Sequence, residues 1–271
     1  MRNPAVAEGL VETGFEERAA RADLLARESA TAAEPLRFAS GLYRVQGRLA
    51  GAIESLHAER PLSGRLDADA DRFLDRCGFV LRFAVEHGPP VLAEKAQDRE
   101  REEGARARSR LQAWWSGDHE TADDYLSRAL LRPYVEVLAR RKLAPDRFRR
   151  PGHCPFCGGS PWIAARRPET DGEGAHRSLG CSLCGGEWPV GRILCPACDE
   201  GDPAKLPSFQ SPSYPAVRIE ACETCRQYVK SIDLTVDGRA IPEVDDLVSL
   251  GMDLWAASQG FARIEPGLAG V

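Results

Sequence analysis

The chain has 271 residues, 43% hydrophobic and 28% charged, with a net charge of −5, which suits a globular protein with one good core and smaller modules. The charge is uneven: residues 1–150 carry 26 Lys+Arg and 25 Asp+Glu, whereas residues 151–271 carry 10 and 16. An acidic second half argues against a nucleic-acid-binding face there. No apolar run approaches the roughly 18–20 residues of a membrane span. The opening stretch MRNPAVAEGLVETGFEERAARAD has no apolar signal segment, so a cytoplasmic protein is expected.

Residues 12–33 read as a helix, with Phe15, Ala19, Ala22 and Leu25 at helical spacing. Pro35 suits the first turn of the next helix, whose stripe of Phe38, Leu42, Val45, Leu49, Ile53 and Leu56 ends at Arg60-Pro61. Asp67, Asp69 and Asp71 place negative charge at a third helix start. Phe73, Cys77, Val80, Leu81 and Ala84 line its face as far as the stop signal His87-Gly88-Pro89-Pro90. Cys77 reads as a buried, inert core thiol. The alternating charges of residues 94–110 predict a solvated helix. Of the adjacent Trp114 and Trp115, one is expected in the core and the other partly exposed. Thr121 and Asp124 suit a cap for the last long helix, with Tyr125, Ala129, Tyr134, Val137 and Leu138 inward and Pro133 inside it. The basic run Arg140, Arg141, Lys142, Arg147, Arg149 and Arg150 reads mainly as helix-end charge and solvation.

Beyond the Pro151-Gly152 hinge lie eight of the nine cysteines, as four C-x-x-C pairs: Cys154/Cys157, Cys181/Cys184, Cys195/Cys198 and Cys222/Cys225. They are separated by 23, 10 and 23 residues, so one two-knuckle unit is repeated at an offset of 41. Two residues between cysteines let a tight turn aim both sulfurs at one ion, and a second knuckle completes a shell of four sulfurs. Disulfides are disfavoured, since nothing points to an oxidising compartment. Sequential pairing (first knuckle with second, third with fourth) follows from the repeat, and an interleaved cross-brace uses the same residues. Gly158 and Gly185 follow knuckles where φ > 0 is useful. Asp199 and Arg226 hold the matching places in the second unit, so its loops are expected to differ.

Short strands are expected at Trp162–Arg166, Arg177–Gly180, Val217–Ala221 and Tyr228–Leu234, then a closing helix over residues 243–259. In that helix Leu247, Leu250 and Leu254 face inward and Gly260 is the stop. His153 and His176 read as loop residues, not ligands. Neither a phosphate loop nor a nucleophile–base pair is legible, and four cysteines per ion would leave no open coordination position, so no enzymatic activity is expected.

The runs CPFCGGSPW, RSLGCSLCGGEW, CPAC and RIEACETCRQYVKSIDL, with Arg177 and Arg218 before knuckles, Trp188, Tyr228-Val229-Lys230 and Asp245-Asp246-Leu247, resemble the FdhE family of formate dehydrogenase accessory proteins. The resemblance is clear over residues 150–260 and weaker in the helical half. It implies a multidomain α and β protein: an all-α N-terminal helical domain (1–150), two tandem rubredoxin-like, zinc-ribbon-like metal modules (151–192 and 193–236), and a C-terminal helix and tail (237–271). It further implies a cytoplasmic maturation factor for formate dehydrogenase. The partner is the catalytic subunit, and the cofactors are two metal ions in four-cysteine sites, iron favoured and zinc possible. The alternatives are a rubredoxin-type redox protein acting on a nascent molybdoenzyme and a zinc-ribbon nucleic-acid binder. Replacing Cys181 by Ala is expected to cost one ion and loosen its module, with the helical domain still folded.

Overall fold

The computed structural model describes residues 14–117, 125–169 and 174–270. Its first part is helical: α1 (Phe15–Glu28), α2 (Ala33–Glu59), α3 (Leu66–Asp69), α4 (Gly78–His87), α5 (Pro90–Glu100), α6 (Gly104–Ser116) and α7 (Tyr125–Arg140). The cap expected at Thr121 and Asp124 lies outside the described residues. α7 is the axis of the core, with every residue from Leu126 to Leu138 buried. Pro133 stands inside it without an N–H to offer the Ala129 carbonyl. That carbonyl instead accepts a 2.8 Å bond from Gln46 Nε2 on α2, so the break in the helix ladder is filled from a neighbouring helix.

Three expectations change here. The helix foreseen from Asp67 onward is broken into α3, two 3₁₀ turns and α4. Asp69 explains the break: its carboxylate turns inward and accepts from the Ser63 and Gly64 amides and from Tyr134 Oη at 2.7 Å, so it serves tertiary contacts instead of one continuous helix. The charged stretch 94–110 likewise divides into α5 and α6, with Gly104 opening the second. Both tryptophans are buried, because the segment after α7 folds back over them. Arg147 lays its guanidinium 5.3 Å from the Trp114 ring and 5.1 Å from the Trp115 ring, and Asp146 accepts from Trp115 Nε1 at 3.0 Å.

The second part is one sheet. Its strands are β1 (Pro161–Pro168), β2 (Ala175–Cys181), β3 (Glu187–Pro189), β4 (Ser208–Ser211), β5 (Tyr214–Ala221), β6 (Gln227–Asp233) and β7 (Ala262–Arg263), in the order β3-β2-β1-β6-β5-β4, with β7 beside β6. Each four-cysteine unit contributes an antiparallel meander of three strands. The parallel pairing of β1 with β6, Ile163 to Lys230 through Arg166 to Asp233, fuses the two meanders head to tail. Alternation along the strands gives the sheet two faces. On one, Ile163, Ile219 and Ile232 join the helical core, and on the other Ala164, Leu179 and Val229 form a small separate cluster.

The closing segment is α8 (Pro242–Asp245), a 3₁₀ turn and α9 (Leu250–Ser258). The turn resets the helical phase, so Leu247 is buried while Leu254 points outward at 66% exposure; Met252, Asp253 and Ala256 face in instead. Lys230 on β6 is fully buried and pins this segment. Its Nζ meets Asp253 at 2.5 Å and both the carboxylate and the carbonyl of Asp246, and Arg263 pairs with the same two aspartates.

Candidate metal centres

All four knuckles close in the same way. The first cysteine's N–H donates to the carbonyl five residues on (Cys154 to Gly159, Cys181 to Gly186, Cys195 to Glu200, Cys222 to Gln227), each at 2.9 Å. Its carbonyl accepts from the residue that follows the second cysteine: Gly158, Gly185, Asp199 or Arg226. Those four residues all sit at φ between 58° and 70°. The loops of the second unit therefore do not depart from the glycine pattern, and two residues with side chains bear the left-handed conformation there. Such strain costs about 1 kcal/mol. Asp199→Gly is accordingly expected to leave thermal stability unchanged or raise it by up to about 1 kcal/mol, as read by reversible unfolding of the loaded protein.

The turns bring the sulfurs into two sequential groups, Cys154/Cys157/Cys181/Cys184 and Cys195/Cys198/Cys222/Cys225, each with its sulfurs within 4.8 Å of one another. Cross-strand Sγ–Sγ distances are 3.4 and 3.6 Å in the first cluster and 3.7 Å for both pairs in the second. A disulfide is about 2.05 Å, and the edge of a tetrahedron of sulfurs around an ion at about 2.3 Å is about 3.8 Å. The arrangement fits a tetrahedral thiophilic ion and excludes a disulfide. Backbone amides support the sulfurs: Leu183 N and Cys184 N point at Cys181 Sγ, and Gly186 N at Cys184 Sγ, each at 3.4 Å.

The protein environment treats the sulfurs unequally. Hydrogen bonds from Cys157 and its neighbours hold the Cys154 thiol far below its ordinary range, while burial pushes Cys157 well above it. Burial also raises Cys195, and raises Cys225 to about 11. Cys77, outside both clusters, is buried on the helical side and pushed by that burial to about 12, as an inert thiol should be.

The clusters differ in setting. The first is wholly buried and belongs to the same core as the helices. Gly185 shows how close the fit is: a Cβ there would lie 2.8 Å from Arg18 Nη2 and 3.2 Å from Glu136 Oε1. Beneath it, Arg18 and Arg132 are matched by Glu136 and Glu243 in a buried quartet, with Arg18 donating twice to Glu136 at 2.9 and 3.0 Å. Trp162, entering from β1, lies against the guanidinium groups of Arg128 and Arg132 at 5.2 and 5.0 Å. Arg147 approaches from the other side and donates from Nη1 to the Cys157 carbonyl at 3.3 Å. It is a half-buried cation beside the first cluster, not a solvated helix-end charge. The second cluster lies at the rim, with Cys198 exposed and Cys225 half-buried.

His153 is not drawn into the first cluster: its Nε2 accepts from Arg150 at 2.8 Å, and its other ring nitrogen faces the Pro151 carbonyl. His176 is exposed. The quartet residues Arg18, Glu136 and Glu243 were silent in the sequence, and Arg147 was one arginine in a run of six basic residues; no spacing marked any of them.

The fold and the clusters define a helical protein joined to two fused, rubredoxin-like units of four cysteines each. The chain belongs to the FdhE family. It is 31% identical over 223 residues to the FdhE homologue of Aquifex aeolicus, across 80% of this chain and 77% of that one. It is 37% identical over 119 residues to the homologue of Pseudomonas aeruginosa, across 42% of this chain and 38% of that one. The FdhE C-terminal domain family matches residues 193–268. The crystal structure of the FdhE protein from Pseudomonas aeruginosa has the same fold, with a TM-score of 0.71 at 24% identity, over 96% of this chain and 97% of that one.

Proposed function

We propose that this protein is a cytoplasmic accessory factor for formate dehydrogenase that takes hold of the catalytic subunit and performs no catalysis of its own. Membership of the FdhE family carries this reading. The eight cysteines hold two ions, iron favoured and zinc possible. Bound in such a site, iron could exchange one electron, while zinc would serve structure alone. No helix among the described residues is long and apolar enough to cross a membrane, in keeping with a factor that meets its client before export.

The second cluster borders an apolar surface suited to a client. Arg226, next to Cys225, lies 3.9 Å from the Phe261 ring, Phe261 neighbours Phe209, and Phe209 packs edge-on against Trp255 at 4.8 Å. Trp255 is 39% exposed, and Leu254 beside it more so. Aromatic anchors of this kind dominate interface energetics. The full chain used as bait is expected to enrich the catalytic subunit, and Leu254→Ser with Trp255→Ser to weaken that capture about tenfold or more. A bait that never enriches the subunit rejects the client assignment. One-electron chemistry at the second cluster is a second reading, favoured by the exposure of Cys198; colourless protein with stoichiometric zinc rejects it.

A further inference from the structure

The sheet face opposite the helices carries a basic pocket that neither cluster accounts for. Arg166 on β1 stands opposite Arg177 on β2 and opposite Asp233 on β6. Arg218 on β5 stands opposite Ser231, two residues before Asp233. The pocket enclosed beside these residues has a volume of about 190 Å³ and abuts Cys195 and Cys222. Four arginines line it, Arg166, Arg177, Arg192 and Arg218, against one lining carboxylate, Glu220. This concentration of positive charge sits in the acidic half of the chain.

The arginines are not equally engaged. Arg177 is spent: Glu220 takes its Nε and Nη2 at 2.8 Å, and the Gly191 and Leu194 carbonyls take Nη1. Arg192 is exposed and pairs with Glu169. Among the described residues, Arg166 and Arg218 share Asp233 alone, at 3.9 and 3.6 Å, too far for hydrogen bonds. Asp233 has already given its other oxygen to Thr235, whose N–H and hydroxyl both donate to it. Arg218 Nε is buried with no hydrogen-bond partner among the described residues, and so is Ser231 Oγ on the same sheet face. Buried donors without partners are uncommon, each costing about 1–3 kcal/mol, and ask for a missing acceptor.

We propose that this pocket binds a small tetrahedral oxyanion of the phosphate or sulfate class. Two under-paired guanidinium groups on separate strands, with the anchored Arg177 behind them, suit an acceptor that offers oxygens in several directions. Guanidinium groups bind such anions by charge-assisted, forked hydrogen bonds. The volume equals that of roughly six liquid waters, room for one such anion with part of its hydration. Because the pocket touches Cys195 and Cys222, the anion would tie β1, β5 and β6 together at the back of the exposed cluster.

The test is calorimetric titration of the metal-loaded full chain at constant ionic strength, with inorganic phosphate, sulfate and acetate in separate arms against a chloride control. Saturable 1:1 binding of phosphate or sulfate is expected, with Kd near or below about 1 mM. Arg166→Gln with Arg218→Gln should weaken it about tenfold or more, with both ions retained and the native circular dichroism signal kept in chloride at the titration temperature. No saturable heat up to roughly 20 mM phosphate, equal affinity in the double variant, or binding of acetate alone would each overturn the assignment. So would a double variant that sheds the second ion while the parent ignores every oxyanion, because the arginines would then serve only to balance the thiolates. None of these readings involves formate dehydrogenase, so the result is independent of the client assignment.

Discussion

Cys181→Ala is expected to prevent the whole chain from reaching a stable native state, whereas Cys198→Ala is expected to cost the second ion and leave the helices folded. The contrast comes from burial. Cys181 has no exposed surface, and its cluster belongs to the helical core. Cys198 is exposed at the rim. An ion caged by four cysteines contributes of order 10–16 kcal/mol to folding in comparable zinc peptides, as much as the total stability of an ordinary domain, about 5–15 kcal/mol. Loss of the inner ion would also loosen the knuckle at Gly185, under which Arg18 and Glu136 are packed. This differs from the expectation drawn from the cysteine spacing, that only the affected module would loosen. Thermal unfolding followed by helical circular dichroism, with metal content measured in parallel, separates the two outcomes. A Cys181→Ala protein that keeps one ion and its full helical signal would show that the inner cluster and the helices are uncoupled.

Glu136→Gln should destabilise the protein by about 3–5 kcal/mol, the usual consequence of breaking a buried ion pair from one side. Glu136 and Arg132 have side-chain exposures of 6% and 3%, and Arg18 is equally enclosed, so solvent screens these charges little. The variant leaves two guanidinium groups sharing Glu243 directly under Gly185. Chemical denaturation gives the loss directly. Arg140→Gln is the control: its partner Glu54 lies at the surface, and such pairs contribute about 0–1 kcal/mol. Equal effects of the two substitutions would mean that the quartet is not what ties α1 and α8 to α7.

Local features of this chain were legible in its sequence, and long-range ones were not. Knuckles are local: two residues between cysteines and a left-handed residue after them set the sulfur geometry, so all eight thiols were legible from spacing alone. Their division into sequential clusters needed the sheet, because a cross-brace uses the same residues. Four strands were legible from short β-rich runs, but not their fusion: the β1–β6 pairing joins residues 67 apart in the chain, Ile163 and Lys230. The helical stripes were readable and their interruptions were not. Asp69 could have continued a helix, but hydrogen bonds to Ser63, Gly64 and Tyr134 draw it inward. Nor could Leu254 be placed, since a 3₁₀ turn before α9 shifts its phase. The charged quartet is the least local of all, with Arg18 meeting Glu136 across 118 residues. Tyr228-Val229-Lys230 and Asp245-Asp246-Leu247, noted as separate marks of the family resemblance, prove to be one feature: Lys230 reaches Asp246, and the closing segment is fastened there.

Elemental analysis combined with X-ray absorption at the metal edge, on protein purified without added chelator, tests the account where it is most exposed. It predicts two ions per chain, each surrounded by four sulfurs at about 2.3 Å and by no light ligand. Fewer than two ions, a nitrogen or water ligand in either shell, or sulfurs bonded to one another would contradict it.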